Sequence, residues 1–296
     1  MVKQTGVMKK LRYVLGYSLI LVVAYGFTAK AQETVTTGYN PNSINPIHES
    51  NKMFKKILWW RMDLVEKQNR PFFSRNGEIT KLMIDAVKAD LLIPYVDDSL
   101  HKRMSKEVFL ENLKIPSDGG DALTAEEIAA GFGQETQEAD PFGGFPGGGG
   151  DIDEVAVSDE FTPREYTIME IKEEMFFDKN RSLMYHDIQA LTVWLPASAN
   201  PAGFEKSLAS FKYKDLVALF YQMPEKALWY NTQNLAEHKN FADAFQLRLF
   251  SANLIKYANP QDQLIVDIYG ANKQSVIKSQ QLEYELIDFE NELWEF

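Results

Sequence analysis

The apolar residues that follow position 52 recur at a spacing typical of an amphipathic helix. This first stripe consists of Phe54, Ile57, Leu58, Leu64 and Val65, with Arg61 as aliphatic cover at its edge. We expect the helix to end before Pro71, because the residue preceding a proline is pushed out of the helical region. The helix would carry Trp59 and Trp60, which cannot both face one core.

Two further helices are predicted downstream. An apolar stripe from Ile79 to Leu91 follows Asn76-Gly77 and stops at Pro94. A shorter helix is expected to begin after Ser105, whose hydroxyl suits the N-cap position. Together with the first helix, they predict an N-terminal helical module.

Two runs of β-forming residues, 166–177 and 183–195, flank the turn sequence Asp178 to Ser182. Asp, Asn and Ser favour turns, so the pattern predicts a long β-hairpin. A helix over residues 165–177 remains an alternative, because Glu, Lys and Met are good helix formers.

The rest of the C-terminal half mixes helices with one strand. Residues 213–220 predict a short helix that Pro224 ends, and a longer helix is expected from Phe241 to near Pro260. The run from Leu264 to Tyr269 predicts a strand. The tail from Lys273 to Phe296 predicts an amphipathic helix rich in Glu.

The fold class expected from these elements is α+β, in two unequal halves around an acidic segment. The predicted organisation is a signal peptide (1–31), an extended arm (32–50), the N-terminal helical module (51–116), an acidic Gly-rich flexible linker (117–163), an α+β module with the β-hairpin plus helices (164–270) and a C-terminal amphipathic helix (271–296).

The acidic segment has its own composition. Between Pro116 and Pro163 there are twelve acidic residues and no Lys or Arg, and ten glycines fall in the same stretch. Such a segment buries too little apolar surface to offset its conformational entropy, which favours a flexible linker. Folding onto a basic partner remains the alternative.

The first 31 residues have the layout of a secretory signal, with basic residues, an apolar run of about 15 residues and then Ala29-Lys30-Ala31. We expect cleavage between Ala31 and Gln32. An uncleaved anchor is disfavoured because spanning a membrane takes about 20 residues. No second stretch approaches that length, so no direct membrane span is expected in the mature chain.

Charge and cysteine content exclude several functions. The signal holds five basic and no acidic residues, so the remaining chain carries a net charge of −16, which argues against nucleic-acid binding. The absence of cysteine excludes disulfides, thiolate metal sites, cysteine nucleophiles and a lipidated cysteine. The protein is therefore not expected to be a lipoprotein.

No motif predicts catalysis, a cofactor or a metal site. The four histidines, His48, His101, His186 and His238, lack metal-ligand spacing. There is no nucleophile elbow, no HExxH pair and no P-loop. We therefore expect a protein that is not an enzyme, with no cofactor.

Two alternatives use other residues. The five Trp and thirteen Tyr residues could form a stacking surface for cell-wall glycan, although core or interface anchoring is the commoner use of these side chains. A cell-wall hydrolase would need a carboxylate pair such as Glu173 with Glu174 or Asp97 with Asp98, but neighbours in sequence seldom converge on one site.

Several long blocks resemble the GldN/PorN family of gliding-motility and type IX secretion components. They are WWRMDLVEKQNRPFF (59–73), IPYVDDSL (93–100), EEMFFDKNRSLMYHDIQAL (173–191) and FADAFQLRLFSANLIK (241–256). The Gly-rich acidic insert and Ala252-Asn253 depart from the pattern expected of the family. The resemblance covers most of the mature chain, roughly Lys52 to Tyr269.

The resemblance implies a periplasmic, outer-membrane-associated ring subunit without enzymatic activity. Its implied partners are further copies of itself, a GldK/PorK-type outer-membrane lipoprotein and the periplasmic arm of a GldM/PorM-type motor. A ring of one repeated subunit needs two complementary patches. We expect the C-terminal helix and the Trp59 helix to supply apolar anchors. We expect Lys179 and Arg181 of the Asp178–Ser182 turn to contact an acidic surface of a partner. The candidate interface residues are Trp59, Trp60, Arg61, Lys179, Arg181 and Arg248.

Overall fold

A computed structural model describes residues 38–116, 160–271 and 273–293. The elements, in chain order, are β1 (Lys52–Asp63), β2 (Phe73–Ser74), β3 (Gly77–Glu78), α1 (Ile79–Lys88), β4 (Pro94–Tyr95), α2 (Lys106–Leu113), β5 (Ile168–Asp178), β6 (Leu183–Leu195), β7 (Lys206–Lys212), α3 (Tyr213–Gln222), β8 (Leu228–Trp229), β9 (Lys239–Asn240), α4 (Phe241–Gln246), β10 (Asn253–Tyr257), α5 (Ile265–Tyr269) and α6 (Lys273–Glu292). The predicted signal peptide, most of the predicted linker and the last three residues lie outside the described part.

A six-stranded antiparallel sheet in the order β10-β1-β5-β6-β7-β4 organises the fold. The predicted hairpin is confirmed: β5 and β6 pair from Ile168–Trp194 to Asp178–Leu183. The predicted helices α1, α2, α3 and α6 are also confirmed, and Ser105 accepts a hydrogen bond from Val108 N as the N-cap of α2. The class is therefore α+β.

The helix predicted after position 52 is wrong, because this segment is the strand β1. It pairs with β5 on one side and β10 on the other. Leu58, Trp60 and Met62 are buried while Trp59 and Arg61 are less so, which is the alternation of a strand. Pairing on both sides overrides the local helical spacing, and the sheet joins strands from both sides of the acidic segment. The N-terminal helical module is thus not all-helical.

Two predictions between Phe241 and Tyr269 are also wrong. The helix from Phe241 ends as α4 at Gln246, since Arg248 adopts φ 52°, and the following residues form the edge strand β10. The strand predicted over 264–269 is the helix α5, whose first turn is stabilised by Asp267 accepting a hydrogen bond from Leu264 N at 3.3 Å. The sequence patterns did not predict the strand β7 either.

The main core lies on one face of the sheet. Strand residues at alternate positions, among them Met62, Ile171, Leu191 and Phe211, are at most 1% exposed. Helices α1, α3 and α4 place their apolar residues in the same cluster. The other face, which we call the second face, carries the intervening residues of β1, β5, β6 and β7.

The described part of the arm folds back on its own chain. Asn40 Nδ2 donates to Glu174 Oε2 of β5 at 2.9 Å, and Glu49 N donates to Gly38 O at 2.7 Å. Gly38 adopts φ +98°, and a Cβ there would lie 2.3 Å from His48 Nε2, so this turn requires glycine.

The end of the acidic segment also packs on the fold. Phe161 is 5% exposed and its N–H donates to Leu113 O at 2.8 Å, while Thr80 Oγ1 donates to Pro163 O at 2.8 Å. Residues 160–163, at the end of the predicted linker, therefore pack against α1 and α2.

Helix α6 covers the edge of the sheet beside β10. Ser279 Oγ donates to Leu254 O at 2.6 Å, and Leu254 N donates to Glu283 Oε1 at 3.2 Å. These side chains satisfy backbone groups that an edge strand would otherwise leave to a neighbouring strand.

Candidate functional site

Strand β1 separates the two adjacent tryptophans that the sequence singled out. Trp60 is 9% exposed and belongs to the main core, opposite Ile171 of β5. Trp59 is half-buried on the second face, opposite Lys172. The prediction that the pair cannot share one core is confirmed, with the split set by strand geometry.

Charged groups surround the Trp59 ring. Lys256 Nζ lies 4.5 Å and Lys172 Nζ 5.3 Å from its centroid, distances at which cations interact with indole rings. The indole Nε1 donates to Asp98 Oδ2 at 2.6 Å, and Asp98 pairs with Lys172 at 3.3 Å. Trp59 is therefore held in one orientation by groups from three separate segments.

A cavity of about 250 Å³ opens beside Trp59 on the second face. Its lining combines a second indole, Trp194, with the carboxylates of Asp97, Asp98 and Glu170. Burial raises the pKa of Glu170, although the positive charge of Arg61 opposes the shift. Arg61 lies 3.8 Å from the carboxylate of Glu170, which lines the cavity, and it also contacts Glu205.

Arg248 occupies a different place, on the core side of the sheet. Its Nη1 donates to Glu173 Oε2 at 2.7 Å, and its guanidinium lies 5.5 Å from the Trp60 ring centroid. Glu173 is fully buried and its other oxygen contacts His186 Nδ1. The three residues form a compact cluster that no sequence motif predicts. The loop after α4 brings Arg248 to the hairpin, so the three residues are distant in sequence.

The electrostatics of this cluster favour an ionised carboxylate. Burial alone would raise the pKa of Glu173, but the contacts with His186 and Arg248 outweigh burial and lower it. Glu174, the next residue, faces the second side of the sheet, so this pair of carboxylates does not converge as a hydrolase would require.

Glu174 is the centre of a second buried cluster, which the sequence patterns did not predict. Lys52 Nζ donates to Glu174 Oε1 at 2.5 Å, and Gln189 and Asn40 donate to its other oxygen. Burial would lower the pKa of Lys52, but the hydrogen bonds to Glu174 and Glu49 raise it. The cluster ties the arm to the hairpin, and only the register of β1 and β5 places these residues together.

The tip of the hairpin is a rigid turn with two projecting cations. Asp178 is 2% exposed and its Oδ1 accepts a hydrogen bond from Asn180 N at 2.9 Å, while Lys179 N donates to Asn51 O at 3.0 Å. Lys179 and Arg181 are both exposed. Among the described residues, the Arg181 guanidinium contacts the hydroxyl of Tyr185 at 3.4 Å and Asp178 at 3.9 Å.

Helix α6 exposes an apolar stripe opposite the one that packs on the sheet. Val276, Ile277, Tyr284 and Ile287 are between 50% and 67% exposed. They fall at helical spacing on the side away from Ser279 and Leu286. The C-terminal helix therefore presents apolar side chains to solvent.

Within the described ranges, no group of His, Asp and Glu has an arrangement suited to a metal ion. No helix in the same ranges is long and apolar enough to span a membrane. His48, His186 and His238 each bond a neighbouring group of the fold, as isolated histidines commonly do.

Comparison with known proteins gives one result. No curated protein matches the chain at a significant level. A family model described as gliding motility associated protein GldN matches residues 47–295, which is most of the chain. The family resemblance found in the sequence is therefore confirmed, and the chain belongs to the GldN family of the gliding-motility and type IX secretion machinery.

Proposed function

We propose that the protein is a non-enzymatic subunit of a periplasmic ring in the type IX secretion and gliding-motility machinery. Membership of the GldN family is the observation that carries this proposal. The chain would reach the periplasm after cleavage between Ala31 and Gln32. It would associate with the outer membrane through a GldK/PorK-type lipoprotein and contact a GldM/PorM-type motor arm.

The separation of surfaces on the fold supports a ring. The Trp59 cavity lies on the second face, the cations of Lys179 and Arg181 lie at the hairpin tip, and the exposed apolar stripe lies on α6. Head-to-tail assembly of one subunit needs two different patches on each copy, and these surfaces occupy different elements.

The state of two buried carboxylates argues against one of the carboxylate pairs considered for a hydrolase. The carboxylates of Glu173 and Glu174 are each paired with a cation, Arg248 and Lys52 respectively, and they face opposite sides of the sheet. An acid and base pair that acts on a substrate needs two groups directed at one reacting bond.

The proposal is tested by purifying tagged full-length protein from its native envelope in a mild detergent. We expect an outer-membrane lipoprotein to co-elute, and negative-stain images to show ring-shaped particles. A monomer that elutes without any envelope partner would contradict the proposal.

The cavity beside Trp59 favours one second candidate, a cell-wall glycan-binding module. Two indoles, three carboxylates and the hydroxyls of Thr192 and Ser210 line it, and sugars are commonly held by such aromatic and polar groups. Sedimentation of the purified protein with purified cell wall tests this candidate. Binding that Trp194→Ala abolishes, in the absence of any protein partner, would favour it over the ring.

A further inference from the structure

The strand β6 has an open edge near the hairpin tip. It pairs with β5 along its whole length, but with β7 only from Ala190 to Leu195. Among the described residues, no strand pairs with the other side of residues 183–189, and Leu183 is 43% exposed. Unpaired backbone groups on a strand edge are a template for another extended segment.

A cavity of about 400 Å³ lies beside this open edge. Edge residues line one side of it, and Tyr213, Val217 and Phe245 of α3 and α4 line the other. One buried polar atom in its lining, Tyr213 Oη, has no hydrogen-bond partner among the described residues, whereas Asp187 is contacted by Ser43 and Ile44 of the arm. Tyr213 is only 3% exposed, and leaving a buried polar group unpaired is unfavourable. The cavity therefore suits an occupant that supplies hydrogen bonds.

The arm of the same chain approaches the cavity and then turns away. Ile44 and Asn45 line the cavity, but Tyr39 pairs with His48, and Gly38 accepts from Glu49 just before β1 begins. The arm thus starts beside β1, separated from the open edge by β5. Gly38 therefore lies on the side of β5 away from the open edge of its own copy.

We infer that residues 33–37 of a second copy add to the open edge of β6 as an extra strand. The segment Glu33-Thr34-Val35-Thr36-Thr37 is rich in β-branched residues, which favour strands. Its length of about 17 Å fits along the edge. A threonine hydroxyl can pair with Tyr213, and Glu33 complements the cations of the tip, Lys179 and Arg181. The inference rests on the proposed self-assembly and names one of its contacts.

The absence of cysteine allows a specific cross-linking experiment. Met184→Cys places one thiol on the open edge, where a benzophenone maleimide can be attached. Equal amounts of isotopically light and heavy protein are mixed, illuminated and digested. We expect mixed light–heavy cross-links from position 184 to residues 33–37. Phe204→Cys, an exposed position away from this edge, is the matched control and should give none of them.

Cross-links confined to one isotope, cross-links to other segments or no cross-links would each overturn the inference. A second pair of variants checks the strand itself. Val35→Pro removes a backbone donor and should reduce the mixed cross-links at least tenfold, whereas Val35→Thr should keep them. Equal yields from the two variants would overturn strand addition. If the native envelope yields rings but no mixed cross-links form, only this contact is ruled out. If no rings are found, the proposed function is contradicted as well.

Discussion

The two faces of the sheet differ most at the neighbouring residues Trp59 and Trp60. On the core face, Trp60 is 9% exposed and packs with apolar residues and Arg248. On the second face, Trp59 is surrounded by Lys172, Lys256 and Asp98 beside an open cavity. One residue step along a strand thus separates a side chain that stabilises the fold from one that is accessible to a partner.

Charges follow the same division. Glu173 on the core face is fully buried and has two cationic or ionisable partners, His186 and Arg248. Glu170 on the second face is only partly enclosed, and its cation, Arg61, lies 3.8 Å away and also contacts Glu205. On the core face, Glu173 is thus buried with its partners, whereas the charged pairs beside the Trp59 cavity are partly exposed. The buried Lys52–Glu174 pair is also on the second face, but it lies near the hairpin tip, where Asn40 of the arm contacts it. Substitutions on the two faces should therefore affect different measurements.

The largest effect is expected for Trp60→Ala. Removing a buried indole should lower the free energy of unfolding by about 3–5 kcal/mol, since it leaves a cavity in the core. Chemical denaturation followed by tryptophan fluorescence and circular dichroism measures the change. A loss below about 1 kcal/mol together with a loss of assembly would place Trp60 at an interface, against the division of the two faces.

Arg248→Met should have the next largest effect. It leaves Glu173 buried without its strongest cation, which should cost about 2–3 kcal/mol at neutral pH because His186 remains. The effect should depend on pH. The pKa of Glu173 is below its ordinary value of 4.5, so its stabilising contribution is present above pH 4.5 and is lost as the pH falls through the lowered value.

The measurement is the difference in unfolding free energy between Arg248→Met and the wild type across pH 7 to 3. We expect the difference to shrink below about pH 4.5, where protonation removes the need for a cation. Lys256→Met, which removes a cation from the second face, is the control and should show a smaller difference. A penalty for Arg248→Met that stays constant down to pH 3 would contradict the account.

The sequence predicted the hairpin better than it predicted β1, for a physical reason. Residues 168–195 combine a local turn with a strand partner a few residues away, so local patterns contain most of the information. The partners of β1 lie more than 100 residues later, and its Phe54, Ile57 and Leu58 fit a helix as well as a strand. Long-range pairing decided the outcome.

The candidate site shows the same limit. The exposed cations Lys179 and Arg181 were predicted correctly, since a turn tip projects its side chains. The Lys52–Glu174 and Arg248–Glu173 pairs were not predicted, because each joins residues that only the sheet register or the loop after α4 brings together. A pairing signal between distant positions was required, and one sequence alone does not contain it.

Trp59→Ala should separate stability from assembly on the second face. It removes the hydrogen bond to Asp98 and two cation contacts at a half-buried site, so we expect a loss of about 1 kcal/mol or less. The yield of rings from the native envelope should fall, although a stability loss this small leaves the subunit folded. Trp59→Phe keeps an aromatic ring and is the matched control. Normal ring yield in Trp59→Ala would remove this surface from the assembly.

The smallest effect on the fold is expected from reversing the tip charges with Lys179→Glu and Arg181→Glu together. Both side chains are exposed and the Asp178 and Asn180 contacts that build the turn remain, so stability should change by less than about 0.5 kcal/mol. If the tip contacts an acidic surface of a partner, the two Glu residues should repel that surface, and co-elution of the partner should fall. Gln at both positions removes this repulsion but does not restore the attraction of the two cations, so co-elution should recover only in part. Unchanged co-elution in the Glu variant would show that the tip is a solvent-exposed turn that does not contact the partner. The second face and α6 would then be the remaining candidate surfaces for partners.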